Sequence, residues 1–400
     1  MHLAVFHMGF FYSGGGERTA INQVIELSKR GHKVTCFAPI VRPERSFPQL
    51  IRQIDVRGYL PTLPVTFPVP LREAASILAS SALAPFLARK FSMFDAFICH
   101  GQPSTWIGYA ISRILKKPYV CYMHQPTRFL YPRPVDLQVG WRVNPSLRVL
   151  NFLIASIGAP IAKKIDTMSV TEADALFANS YWTAKHIGIS YGRTPIVCYP
   201  GVDNQFLHKS RIASSARDKA KPFILSTNRH YPQKKLEWLI QILDHVSSDF
   251  PDAKLLLTGS PTQYTNQLMR LCQELGLRQN VVFTGDVDED ELIKLYREAE
   301  VCAYAAPEED LGLGPLEAGA CRTPSVVWDY AGPAETVVDG ITGFRARPYE
   351  LSDFANKIKE IMSDRLTRER FGSNAFRYVS EKFTWQKHVS LLESKLEASI

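Results

Sequence analysis

Four hundred residues exceed one small domain, and at roughly 100–200 residues per domain two or three are expected. A composition of 46% hydrophobic and 22% charged residues excludes a disordered, collagenous or coiled-coil chain. The net charge of +8 divides unevenly: residues 1–205 hold 22 Lys+Arg against 11 Asp+Glu, and residues 206–400 hold 25 against 28. A basic half fits an anionic membrane surface, a phosphorylated substrate or nucleic acid. No zinc-finger spacing, RNA-binding signature or dense Lys/Arg run supports nucleic acid, so no nucleic-acid partner is expected.

The seven cysteines form no CxxC pair and no Cys/His cluster, which argues against a disulfide scaffold or zinc site and for a reducing compartment. The opening MHLAVFHMGFFYSGGG lacks a basic region and a small-residue cleavage site, so no signal peptide is expected. No apolar run reaches the ~18 residues of a membrane span. The nearest are Ala74 to Ala88 and Val149 to Ala162, read as buried or half-buried helices, with membrane contact as the alternative.

In chain order, short apolar runs alternate with turns and helical patterns. The first half carries LAVFHM, KVTCFAP, AFICH, PYVCYM, ALFAN and PIVCY; the second carries PFILST, AKLLLTG, VVFTG, VCAYAA and PSVVW. Near-continuous apolar runs mark parallel strands buried on both faces. Helices are expected over Glu17 to Arg30, Leu236 to Ser247, Gln267 to Leu277 and Asp290 to Glu300. Eleven strands exceed one ordinary open sheet. The polar segment from Gly201 to Lys221 reads as a linker, which gives two Rossmann-like, doubly wound α/β domains facing across a cleft. The boundaries expected are 1–205, 206–375, and a C-terminal helix over 376–400 crossing back to the first domain.

Four segments carry chemistry. Ser13-Gly14-Gly15-Gly16-Glu17 follows a strand and opens a helix, where glycines admit a phosphate to backbone amides; a plain turn is the alternative. It is neither GxGxxG nor a P-loop. In Ser226 to Lys235, Arg229 and Lys234 are placed to clamp a diphosphate, or form a solvated basic loop. From Ala305 to Glu317 a strand runs into an acidic, glycine-rich turn with a helix starting near Gly314. Its free amides suit a phosphate, while Glu309 and Glu317 are placed to accept from sugar hydroxyls; an acidic cap plus a surface glutamate is the alternative. Finally, Tyr122 to Tyr131 follows a buried strand, which brings His124 to its exit; His100, at another strand end, is a rival. Asp286-Val287-Asp288 matches a loose DxD metal motif but precedes a helix, so its acids are read as caps and no metal site is expected.

Glu309 and Glu317, separated by seven residues, are followed by Ala-Gly-Ala-Cys-Arg-Thr-Pro and then by Ala331 to Phe344. This block resembles the Glu-x7-Glu block of glycosyltransferase family four, retaining enzymes of the GT-B fold. Gly14-Gly15, Arg30-Gly31-His32-Lys33-Val34, Tyr199-Pro200-Gly201-Val202-Asp203, and Arg229 with Lys234 follow the same pattern in order. The arginine loop departs from it: Asn228 stands where glycine is usual, and Lys235 where glycine is common.

The resemblance implies that Glu309 holds donor-sugar hydroxyls, Glu317 the ribose, and Arg229 and Lys234 the leaving diphosphate. Gly14 and Gly15 would close over the phosphates, Leu313 and Gly314 amides would meet sugar or phosphate, and the Phe283 to Val287 loop would line the base pocket. The His124-x-Pro126-x-Arg128 pattern resembles bacterial mannosyltransferases of lipid-linked or surface polysaccharides, which places His124 and Arg128 beside substrate and GDP-mannose among the donors. The expectation is a retaining hexosyltransferase using a nucleotide-diphosphate sugar as donor, without cofactor, on a lipid-linked or carbohydrate acceptor. It would be cytoplasmic, or peripheral at an anionic inner membrane face. The alternatives are a GT-B sugar-nucleotide epimerase, a soluble disaccharide synthase, or a non-catalytic protein that binds anionic surfaces.

Overall fold

The computed structural model describes residues 1–58, 81–128, 130–139, 159–212 and 222–400. Residues 74–80 and 149–158 of the two uncharged stretches, and residues 213–221 of the expected linker, lie outside them.

The chain divides into two compact units: residues 1–133, 140–201 and 385–400 form the first, and residues 134–139 and 202–384 the second. In the first unit seven parallel strands lie in the order β3-β2-β1-β4-β5-β6-β7. These are β1 His2–His7, β2 Lys33–Ala38, β3 Val56–Gly58, β4 Ala96–His100, β5 Tyr119–Met123, β6 Ala175–Ala178 and β7 Ile196–Val197. In the second unit six parallel strands lie in the order β10-β9-β8-β11-β12-β13. These are β8 Phe223–Thr227, β9 Lys254–Thr258, β10 Val281–Gly285, β11 Val301–Tyr304, β12 Ser325–Trp328 and β13 Gly343–Ala346. Both follow the doubly wound nucleotide-binding order, in which ligands sit at the carboxyl ends of strands where the order reverses. Those points are β1/β4 in the first unit and β8/β11 in the second.

Most apolar runs bury as expected; the edge strands β7 and β10 stay partly exposed. Leu3, Val5, Ile98, Val120 and Phe177 are sealed in one core, and Ile224, Leu255, Leu257, Val301 and Val326 in the other. At roughly 25 cal/mol per Å² removed from water, such two-faced burial contributes most to holding each sheet together.

The sequence boundaries need correction. The polar stretch after Gly201 is not all linker: Asn204–Ile212 is a helix, because Phe206 gives it an apolar anchor that is fully buried. The short helix Pro134–Val139 belongs to the second unit, lying against the turn Pro232–Lys234 and donating from Val135 N to Glu308 (3.3 Å). The terminal segment that joins the first unit begins at Trp385, not 376: the helix Arg365–Lys382 stays in the second unit, packed on the helix Leu313–Ala320.

The helix Trp385–Glu397 is fixed by the Arg30-Gly31-His32 motif. Arg30 donates to Glu393 (2.7 Å), Ser390 (2.7 Å) and the Gln386 carbonyl (2.9 Å), and His32 Nε2 lies 2.6 Å from Glu393. His32 and then Arg30 hold the Glu393 carboxyl below its ordinary range. Gly31 turns between them at φ +89, a left-handed conformation that favours glycine. Among the described residues no helix is long and apolar enough to cross a membrane.

Candidate functional site

In the first unit two adjacent strands, β1 and β4, end in histidine, and a third, β5, is followed by one. Register pairs His7 with His100 and His100 with Tyr122, and His124 follows one residue beyond β5. The rings of His100 and His124 stack with centroids 5.5 Å apart, and His100 Nδ1 lies 3.3 Å from His124 Nε2. On its other side His100 Nε2 meets Gln23 Oε1 (2.9 Å), and Gln23 Nε2 meets His388 Nε2 (2.9 Å). Burial pulls the pKa of His7 down to about 4, His124 to about 3 and His388 to about 4, and that of His100 well below its ordinary value; His7 and His388 further depress His124. All four rings are therefore neutral at pH 7.

His124 stands at the exit of β5, where it was expected. It is half-buried and bonded within a histidine network, and its rival His100 is a buried member of that network. Gln23 and His388, which sequence reading missed, complete it; a histidine in or just after three apolar runs was the available signal.

The glycine loop opens the helix Gly15–Lys29, with Gly14 at its N-cap in extended conformation. A side chain on Gly14 would press against Glu17 Oε2 and the Tyr12 ring, both 2.6 Å from an added Cβ, so glycine keeps the helix start uncrowded. Gly15 is exposed and Arg128 half-buried.

In the second unit the switch point between β8 and β11 gathers the other residues. Arg229 lies two residues beyond β8 and is exposed, its guanidinium 5.4 Å from the Tyr231 ring centroid. Lys234 ends a 3-10 turn, and Lys235 then takes φ +50, the left-handed conformation that explains why glycine is common there. The glycine freedom missing at Asn228 is met elsewhere: Gly259, at φ +124, passes so close that an added Cβ would lie 2.5 Å from the Asn228 carbonyl.

Lys234 Nζ forms an ion pair with Glu309 Oε2. The cation read as a diphosphate ligand and the carboxylate read as a sugar ligand thus hold each other, and neither stands alone at the strand ends. Glu309 lies beside the buried Tyr304 at the end of β11, whose hydroxyl burial and the Glu309 charge together push to a higher pKa. The helix Leu313–Ala320 begins after Gly312, which is left-handed at φ +84, and has no side-chain cap. Gly314 leaves space that a Cβ would fill, 2.9 Å from Thr227 Oγ1 and 3.2 Å from the Tyr304 ring. Glu317, one turn inside, accepts from Tyr296 (3.0 Å), whose hydroxyl lies 2.6 Å from Thr227 Oγ1. Tyr296, Thr227 and Tyr304 were not singled out by sequence.

Asp288 caps the helix Glu289–Glu298, accepting from Glu291 N at 2.8 Å, and Asp286 accepts from Ser260 (2.6 and 2.7 Å). Val287 is half-buried between them, past Gly285, which turns at φ +73.

Two doubly wound sheets, each with polar groups at its switch point, define the GT-B class of α/β protein. Residues 13–206 match the Glycosyltransferase Family 4 model and residues 209–378 the model of Glycosyl transferases group 1. The D-inositol 3-phosphate glycosyltransferase of Nocardia farcinica is 29% identical over 64% of this chain and 63% of its own length. The sulfoquinovosyl transferase of Arabidopsis thaliana is 26% identical over 80% of this chain and 60% of its own. The chain therefore spans about three fifths of these relatives. The Anabaena HepE structure, in complex with UDP and glucose, superposes over 100% of both chains with a TM-score of 0.76 at 19% identity. The chain belongs to the GT-B glycosyltransferases of the group 1 and family 4-like kind.

Proposed function

We propose that this protein is a retaining hexosyltransferase that uses a nucleotide-diphosphate sugar. One observation carries the reading most: Lys234 and Glu309, 75 residues apart, meet at the switch point of the second sheet, beside an uncapped helix start. That is where a doubly wound sheet binds its ligand. Arg229, Lys234 and the Leu313 and Gly314 amides stabilise charge developing on the departing diphosphate. Glu309 receives sugar hydroxyls and Glu317 the ribose. The acceptor hydroxyl attacks the oxocarbenium-like anomeric carbon on the face the phosphate leaves, and the departing phosphate oxygen takes its proton. Val287 borders the base. In the first unit, Gly14, Gly15, His124 and Arg128 serve the acceptor side, and the +11 surplus of residues 1–205 favours a lipid-linked or anionic acceptor at a membrane face.

For the donor base, the UDP and glucose held by the Anabaena protein favour a UDP-hexose, whereas GDP-mannose rests on the His124 to Arg128 pattern alone. Thermal-shift titration with UDP-, GDP- and ADP-sugars tests this. A donor at ~100 times its dissociation constant stabilises the fold by about 2.7 kcal/mol. Stabilisation by none of them would overturn the reading.

A further inference from the structure

The histidine network of the first unit ends on a group that can only accept. His388 Nδ1 lies 2.9 Å from the Tyr199 carbonyl oxygen, so that nitrogen carries the ring proton. Cys198 Sγ, 3.4 Å from the same nitrogen, does not compete, because its thiol reaches the His388 carbonyl at 3.5 Å. His388 is neutral, so its Nε2 accepts, and the Gln23 amide nitrogen donates to it across 2.9 Å. That orientation turns Gln23 Oε1 to His100 Nε2 (2.9 Å), which must donate. His100 Nδ1 is then bare and accepts from His124 Nε2 at 3.3 Å.

The other groups packed on these rings leave this direction intact. Tyr122 spends its hydroxyl proton on the Cys198 carbonyl (2.7 Å), and His7 Nδ1 is engaged by Gly9, whose carbonyl oxygen lies 2.9 Å and whose amide nitrogen lies 3.2 Å from it.

We propose that this chain, from the Tyr199 carbonyl through His388, Gln23 and His100, fixes His124 as its Nε2–H tautomer with Nδ1 as the accepting nitrogen. Gln23 and His388 are thereby positioning residues. The inference rests on the reading that His124 meets substrate, and it narrows what His124 meets. A bare Nδ1 accepts from a hydroxyl, of sugar or acceptor, and does not donate to a phosphate oxygen. A neutral imidazole otherwise exchanges tautomers freely, and which nitrogen carries the proton is set by the bond the other one makes. Here the controlling carbonyl is three side chains away from His124.

The test is long-range nitrogen-15 NMR of the full chain labelled at histidine, with His124 assigned from His124→Asn. The wild type should show Nε2 protonated and Nδ1 bare; the reverse pattern overturns the proposal without any variant. Gln23→Leu cuts the chain and should move the tautomer ratio of His124 at least tenfold towards Nδ1–H. Gln23→Glu still accepts from His100 and should retain the wild-type pattern, which a merely structural role for Gln23 would not predict. An unchanged ratio in Gln23→Leu also overturns the proposal. Separately, wild-type turnover in His124→Ala would remove His124 from the site while leaving the tautomer result standing.

Discussion

The pairing of Lys234 with Glu309 makes a kinetic prediction that independent roles would not. On the proposed roles, Lys234→Ala removes a cation from the leaving diphosphate and also leaves the Glu309 carboxylate, its ion-pair partner, uncompensated. The single change should cost ~10²–10³ in rate. Glu309→Gln in that background removes the stranded charge and should recover part of the loss. Two unit charges ~4 Å apart at an effective dielectric near 20 interact by about 4 kcal/mol, which sets a ceiling. The two side chains are 22% and 18% exposed, so solvent screening brings the expected coupling down to about 1–3 kcal/mol. The double variant should therefore turn over about 5–150 times faster than the product of the two single losses. The assay is release of nucleoside diphosphate at saturating acceptor with the donor varied, giving kcat/KM for the four members of the cycle. Additivity within about 0.5 kcal/mol would refute the coupling and restore two independent residues.

Acid should unfold the protein through its buried imidazoles: His7 and His388 have folded pKa values near 4 against 6.5 unfolded, so the unfolded chain binds more protons between those limits. Stability is then full above pH 6.5 and falls by about 1.4 kcal/mol per pH unit for each ring as pH drops to about 4, measurable by urea unfolding at pH 7.5, 6 and 5. Tyr296→Phe strips Glu317 of a donated bond and should raise the donor KM up to ~10-fold with kcat within about twofold; a loss confined to kcat would contradict the ribose role. Gly314→Ala places a methyl 2.9 Å from Thr227 Oγ1 and should lower the urea midpoint by about 1–3 kcal/mol equivalent with an unchanged slope. Turnover should persist in excess EDTA, because Asp286 and Asp288 are engaged by Ser260 and a helix start; loss restored by Mn²⁺ would reverse that assignment.

Eleven strands were legible because each is a run of apolar residues, and most of these runs are buried, the edge strands β7 and β10 being partly exposed. The two that escaped are edge strands with weak patterns. Val56–Gly58 holds one apolar residue in three, and Gly343–Ala346 alternates Phe344 with Arg345. The Glu309 and Glu317 turn was legible because glycine, proline and acid cluster locally. The histidine chain was not, since Gln23 and His388 stand 365 residues apart and only the folded sheet and the returning helix bring them together. Tyr296 escaped for a different reason: a tyrosine on an amphipathic helix reads as core, and its hydroxyl partner Glu317 lies on another helix.

The return of residues 385–400 to the first unit has a consequence for how the protein is made. Val389, Leu392 and Leu396 are fully buried in that unit's core, yet they leave the ribosome after all of residues 202–384. During vectorial synthesis the first sheet to emerge must wait, with an uncovered apolar groove along the helix Gly15–Lys29, while the second unit is translated and folds. At about 5–20 residues per second that interval lasts roughly 10–40 seconds. The unit translated first is thus the last to be completed, and a nascent chain stalled near residue 384 would present that groove to chaperones.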